Sequence, residues 1–171
     1  LPRALWLPIL YGVVLTTRPA ASARRYGALW TREGSPLTVH TARQAVMLRG
    51  YLGERIRARI EVEWAMRYGV PSIRQGLEAL QARACDRILV LPLYPQYAGA
   101  TTASASDAVH AATSAMRSIP ALRFVKDFHD HPGYIAALAQ SVRDYWMQSG
   151  RPDVLVMSFH GVPRKVVDRG D

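Results

Sequence analysis

Beyond residue 59 the chain alternates short apolar runs with amphipathic stretches, and this rhythm restricts its fold more than any other feature. Residues 87–93 read Arg-Ile-Leu-Val-Leu-Pro-Leu, the kind of continuous apolar run found in strands buried on both faces. Residues 60–66 alternate in the manner of a strand, and residues 122–127 and 153–159 read as two more. Helices are expected between them, over 71–84, 101–118 and 132–149. Pro71 and Ser72 are residue types favoured at a helix start. The last helix carries Ile135, Leu138, Val142, Tyr145 and Trp146 at helical spacing. Strands alternating with helices imply an α/β chain, its parallel sheet flanked by helices and joined by right-handed crossovers. Ahead of residue 59 the pattern is weaker. Residues 1–15 read as a helix, 18–36 as a loop or short helix, and a helix capped by Thr38 or Thr41 runs to about residue 53.

A length of 171 residues suits one domain, or one domain and the start of a second. The turn Ser149-Gly150-Arg151-Pro152 is the expected boundary, giving a first domain over 1–150 and the opening strand and loop of another over 151–171. The chain begins inside an apolar stretch without Met and stops after a Pro-containing loop, which reads as a fragment of a longer protein. A single cysteine, Cys85, excludes a disulfide framework and a Cys-rich zinc site. No uninterrupted apolar run reaches the ~18 residues of a membrane span. The longest, residues 5–15, is interrupted by Pro8 and Gly12.

Charge is unevenly spread. Of 22 basic residues, 20 are Arg, and residues 1–75 hold 12 Arg against 4 acids. The remaining residues hold 10 bases against 9 acids, so the net +9 divides as +8 and +1. Arg grips carboxylates or phosphates with a planar fork, so an anionic partner is one reading and solvated helix faces the other. Basic blocks interleaved with aromatics are missing, which argues against nucleic acid.

Ligands of open α/β sheets bind beyond the carboxyl ends of the strands. The segments expected there are 67–72, 94–102, 127–132 and 158–163, rich in aromatic, hydroxyl and imidazole groups. There is no Gly-x-Gly-x-x-Gly and no P-loop, so nucleotide binding has little support. His160 leaves an apolar run and precedes Gly161, which lets a ligand approach the backbone. It is a candidate base or metal ligand, or else a histidine bonded to a backbone carbonyl. His129 and His131, flanked by Asp127 and Asp130, look metal-like, yet Asp130 is equally suited to cap the following helix. His40 and His110 read as solvated, and Cys85 as a small buried hydrophobe.

Taken together, these segments resemble one family. Leu91-Pro92-Leu93-Tyr94-Pro95-Gln96-Tyr97 with Thr101-Thr102, then Ser158-Phe159-His160-Gly161-Val162-Pro163 and Asp168-Arg169-Gly170-Asp171, resemble ferrochelatase, the bacterial protoporphyrin type. Gly34-Ser35-Pro36-Leu37 and Arg67-Tyr68-Gly69-Val70-Pro71-Ser72 agree, and the likeness spans essentially the whole chain.

The resemblance implies a Rossmann-like, chelatase-like fold, incomplete here. It also implies insertion of ferrous iron into protoporphyrin IX, the last step of haem synthesis. His160 matches the family's active-site histidine, both catalytic and metal-binding. Arg18, Tyr26 and Ser35 fall at porphyrin contacts, and Arg67, Tyr68 and Tyr97 at cleft-lining positions. Ferrous iron is implied as substrate, with no permanently bound cofactor. A cytoplasmic enzyme is expected, with peripheral contact at the inner membrane. The family's first strand with its Gly-Thr-Pro loop should precede Leu1, and a partner Glu should follow Asp171, so the isolated piece is expected to be inactive. The alternatives are a tetrapyrrole- or metal-binding module without turnover, and a related chelatase using coproporphyrin or another metal.

Overall fold

A computed structural model describes residues 3–171, so Leu1 and Pro2 of the expected first helix lie outside the described residues. The described chain divides into two units, one running through Trp64 and the other from Ala65 to Asp171.

The first unit is helical. Helix α1 (Arg3–Ile9) passes through a π-helical turn (Leu10–Val14) into α2 (Leu15–Gly27). Pro8 and Gly12 therefore do not end the helix, and residues 18–27, expected as a loop or short helix, continue it. Hydroxyls supplement the backbone bonding around the wide turn. Thr16 Oγ1 donates to the Gly12 carbonyl at 2.9 Å, and Thr17 Oγ1 to that of Val13 at 2.7 Å. The helix ends in Arg24 and Arg25, cations suited to its negative C-terminal pole. By length and composition the continuous helix Arg3–Gly27 is long and apolar enough to cross a membrane.

Helix α3 (Pro36–Arg55) is capped by Ser35, not by Thr38 or Thr41. Ser35 Oγ accepts from the Thr38 amide at 3.2 Å, and Pro36 stands at the first helical position, where its missing N–H costs nothing. Thr38 instead meets the Ser35 hydroxyl at 2.9 Å, and Thr41 bonds back to the Leu37 carbonyl at 2.7 Å. Residues 60–65 form no strand. Arg49 donates to the Val62 carbonyl and lies 3.7 Å from Glu63, which ties this extended stretch to α3 by a side chain and not by a backbone ladder.

The second unit holds the sheet and the core. Ser72 and Gln75 form a capping box that starts α4 (Ile73–Ala82). Strand β1 (Arg87–Val90) pairs in parallel with β2 (Ala121–Phe124), Arg87 opposite Ala121 and Val90 opposite Phe124. The crossover between them runs through a π-helical turn (Gly99–Ala103) and α5 (Ser104–Thr113). This βαβ arrangement is the expected α/β architecture. Leu77, Ile88, Val109 and Ala112 form the buried centre, with Ile73, Leu80, Val90, Met116, Leu122 and Phe124 packed around it. The expectation that β1 is buried on both faces fails. Ile88 is buried, but Leu89 on the opposite face is 65% exposed, because the core lies on the Ile88 side.

Helix α6 (Pro132–Ser149) occupies the expected span, though its cap is His131, whose Nδ1 accepts from the Gly133 amide at 3.1 Å, in place of Asp130. Residues 153–159 are irregular and not a fourth strand. Val154, Val156 and Phe159 are each more than two-thirds exposed, and an extended run becomes a strand only when a partner takes its backbone groups. A short helix α7 (Arg164–Val167) follows.

Candidate functional site

The carboxyl ends of β1 and β2 are bound together by the backbone. Val125 N donates to the Val90 carbonyl at 3.0 Å, and Phe128 N to that of Pro95 at 2.9 Å. The loops carrying Tyr97 and His129 are therefore held side by side.

Upstream of α4, the 67–72 turn is closed by Met66 N donating to the Pro71 carbonyl at 2.8 Å. Gly69 takes φ +103°, a conformation that L side chains rarely adopt, and Val70–Pro71 is a cis peptide. Arg67 Nε donates to Ser104 Oγ at 2.9 Å, and its guanidinium stands 4.5 Å from the centre of the Tyr68 ring. The turn is thus anchored to the first residue of α5. Tyr68 is itself 75% exposed, an open aromatic face beside a cation.

Tyr97 is half-buried on the edge of a hollow of about 360 Å³. Thr102, Ser106, Asp107, Phe124 and Lys126 also line it. Lys126 Nζ lies 5.1 Å from the Tyr97 ring centre, a cation–π contact. Thr102 is 4% exposed, and its hydroxyl has no hydrogen-bond partner. Lys126 escaped the sequence reading, which quoted Thr102 but not its burial. Lys126 adjoins the 127–132 segment, but only the end of β2 decides that it meets Tyr97.

His160 lies in the irregular stretch before α7 and is exposed, not at a strand end. Its Nδ1 is 2.8 Å from the Gly161 carbonyl oxygen. In the tautomer where Nδ1–H donates there, Nε2 keeps its lone pair for a proton or a metal. The residues after it fold back onto the start of the α5 crossover. A Cβ on Gly99 would stand 3.1 Å from Asp171 Oδ1, so the bare glycine admits that carboxylate.

Arg18 and Tyr26 are exposed on α2, and Ser35 caps α3. These three belong to the first unit; Arg67, Tyr68, Tyr97 and His160 belong to the second.

The ferrochelatase family model matches residues 1–171, the entire chain. The chain belongs to the ferrochelatase family. Among its curated relatives, the ferrochelatase of Aromatoleum aromaticum is 56% identical over 171 residues, all of this chain and 47% of that protein. That of Methylibium petroleiphilum is 57% identical over the same length, again 47% of the relative. The Nitrosomonas europaea ferrochelatase is 52% identical over 170 residues, 99% of this chain and 47% of the relative. The ferrochelatase-family chain thus spans about half the length of the curated relatives it matches. Within it, only Leu91–Tyr97 and Thr101-Thr102 of the segments that carried the resemblance follow a strand of the observed sheet.

Proposed function

We propose that the protein to which this chain belongs inserts ferrous iron into protoporphyrin IX to form protohaem in haem biosynthesis. The family match over all 171 residues carries this reading. Iron is the substrate, and no resident cofactor is assigned.

The chemistry requires a base, since two pyrrole N–H protons leave as one Fe²⁺ enters. His160 is assigned that role, with Nε2 as the proton acceptor and as a ligand that can hold the iron. Arg18 and Arg67 suit the porphyrin carboxylates, whose geometry a guanidinium matches. Tyr26, Tyr68 and Tyr97 suit the flat apolar ring, and the Ser35 hydroxyl adds a polar contact. A surrounding that favours a bent macrocycle exposes the pyrrole lone pairs to the metal.

Residues 1–150 are read as the first Rossmann-like domain and 151–171 as the opening of a similar second one. The relatives' greater length supports this division. The protein is assigned to the cytoplasm, peripheral to the inner membrane. The exposed Leu5, Trp6, Leu7 and Ile9 on α1, with Arg18, Arg24 and Arg25 further along the same helix, support contact with an anionic lipid surface.

Metal insertion by the full-length protein, followed in the Soret band with Fe²⁺ or Zn²⁺, tests the reading. His160→Ala is expected to lower turnover by about 10²- to 10⁴-fold. Unchanged turnover would remove His160 from the mechanism. A Soret shift on porphyrin binding without metallation would instead make the protein a binding module. Comparing protoporphyrin IX with coproporphyrin III fixes the substrate.

A further inference from the structure

The sequence singled out Asp127-Phe128-His129-Asp130-His131, and the proposed chemistry leaves this segment unused. The structure divides it. His131 turns to α6 and caps it through Nδ1. Asp127, His129 and Asp130 converge, each offering a ligand atom, with all three atoms within 4.8 Å of one another. His129 Nδ1 lies 3.9 Å from Asp127 Oδ1, beyond hydrogen-bond distance.

Two further features favour a cation at this point. First, the loop is anchored on both sides. Phe128 N bonds the Pro95 carbonyl, and His131 N bonds that of Phe128 at 3.1 Å. The three side chains therefore project from a turn held by the backbone at both ends. Ligands bound at about 2.0–2.2 Å stand roughly 3–3.5 Å apart, so closure asks about 1 Å of each. Second, the carboxylates are available. In a chain with 22 basic and 13 acidic residues, neither Asp127 nor Asp130 pairs with an Arg or Lys among the described residues. The adjacent Lys126 lies against the Tyr97 ring instead.

We propose that Asp127, His129 and Asp130 form a binding site for a divalent first-row transition ion. Two carboxylates and one imidazole suit Fe²⁺, Zn²⁺, Mn²⁺ or Co²⁺ and offer nothing to a thiolate-seeking Cu⁺. His129 is half exposed and Asp127 more than a third, so water completes the coordination and the ion exchanges readily. The site is a surface holding point and not a structural centre. It is independent of the role given to His160.

Zn²⁺ titration by calorimetry tests this in the full-length protein carrying His160→Ala, so that the proposed catalytic ligand is removed from the count. One Zn²⁺ per chain is expected at this site. Asp127→Asn and His129→Ala should each weaken it about tenfold or more, with the thermal midpoint of the metal-free protein unchanged. Asp130→Asn should do the same. Lys126→Ala, which removes a neighbour and no ligand, should leave Zn²⁺ affinity within twofold. Absence of Zn²⁺ binding, or equal affinity in the ligand variants, overturns the proposal. Porphyrin metallation by the protein with His160 intact is measured separately, and its outcome bears only on the catalytic reading.

Discussion

The unit ending at Trp64 contains helices α1 to α3, yet among its described residues only Ala45 is a buried hydrophobic. The unit from Ala65 buries Leu77, Ile88, Ala105, Val109 and Ala112. Both are rich in helix, so helix content does not separate them. What differs is where the stabilisation comes from. Helix α3 rests on its Ser35 cap, on Pro36 and on backbone bonds along its length, while Leu37, Val46 and Met47 stay more than 60% exposed. Helix α4 has a cap too, but it also buries Leu77 against Ile88 and Val109. Burying one such side chain contributes about 1.5–3 kcal/mol, against about 1 kcal/mol for a cap.

Leu77→Ala should therefore have the largest effect. It removes buried atoms and opens a cavity among Ile88, Val109 and Ala112, at a cost of about 2–5 kcal/mol. Leu37→Ala, at a position 68% exposed, should stay within about 0.5 kcal/mol. Urea unfolding measures both. A large loss at Leu37 would mean that α3 is packed as tightly as α4, and the contrast between the units would fail.

The caps come next. Ser35→Ala and Ser72→Ala each remove one hydroxyl acceptor for an orphan amide, worth about 1 kcal/mol. Their consequences should differ in reach. In α3 the loss should appear as faster amide exchange confined to its first turn. In α4 the packed Leu77 keeps the helix in place, so exchange should accelerate less there. Equal fraying of both helices would show that packing adds nothing to α4.

The same contrast explains what could be read from residues alone. Helix α6 and strands β1 and β2 were legible because their periodicity matches real pairing or a real turn pattern. Residues 18–27 were misread: they continue the helix through Pro19, although an interior Pro removes a backbone bond. Residues 60–66 and 153–159 have strand-like composition, but composition supplies no backbone partner. At the candidate site, Arg67, Tyr68, Tyr97 and His160 were legible as loop motifs. Lys126 was not, and the surroundings of Thr102 and Asp171 were not either, since they are neighbours brought by the fold: the Tyr97 ring for Lys126, an open hollow for Thr102 and the bare Cα of Gly99 for Asp171. The split of the histidine pair was hidden for the same reason. Only the start of α6 assigns His131 to capping and leaves His129 to the two aspartates.

The smallest effect concerns charge. If the first unit lacks a core, its ion pairs are the obvious substitute, and Arg43 with Glu33 is one of them, at 2.6 Å between Nη2 and Oε2. Both side chains, however, are about 60% exposed. Water screens such a pair, and holding two long side chains together costs entropy, so the net gain is typically about 0.2–1 kcal/mol. Glu33→Ala should shift the urea midpoint less than Ser35→Ala does, and the Glu33→Ala shift itself should shrink further in about 1 M salt, where the screening length falls to about 3 Å. A loss larger than that of the cap would show that electrostatics, not local helix chemistry, holds this unit together. A loss near zero would leave the backbone and its caps as the source of its structure.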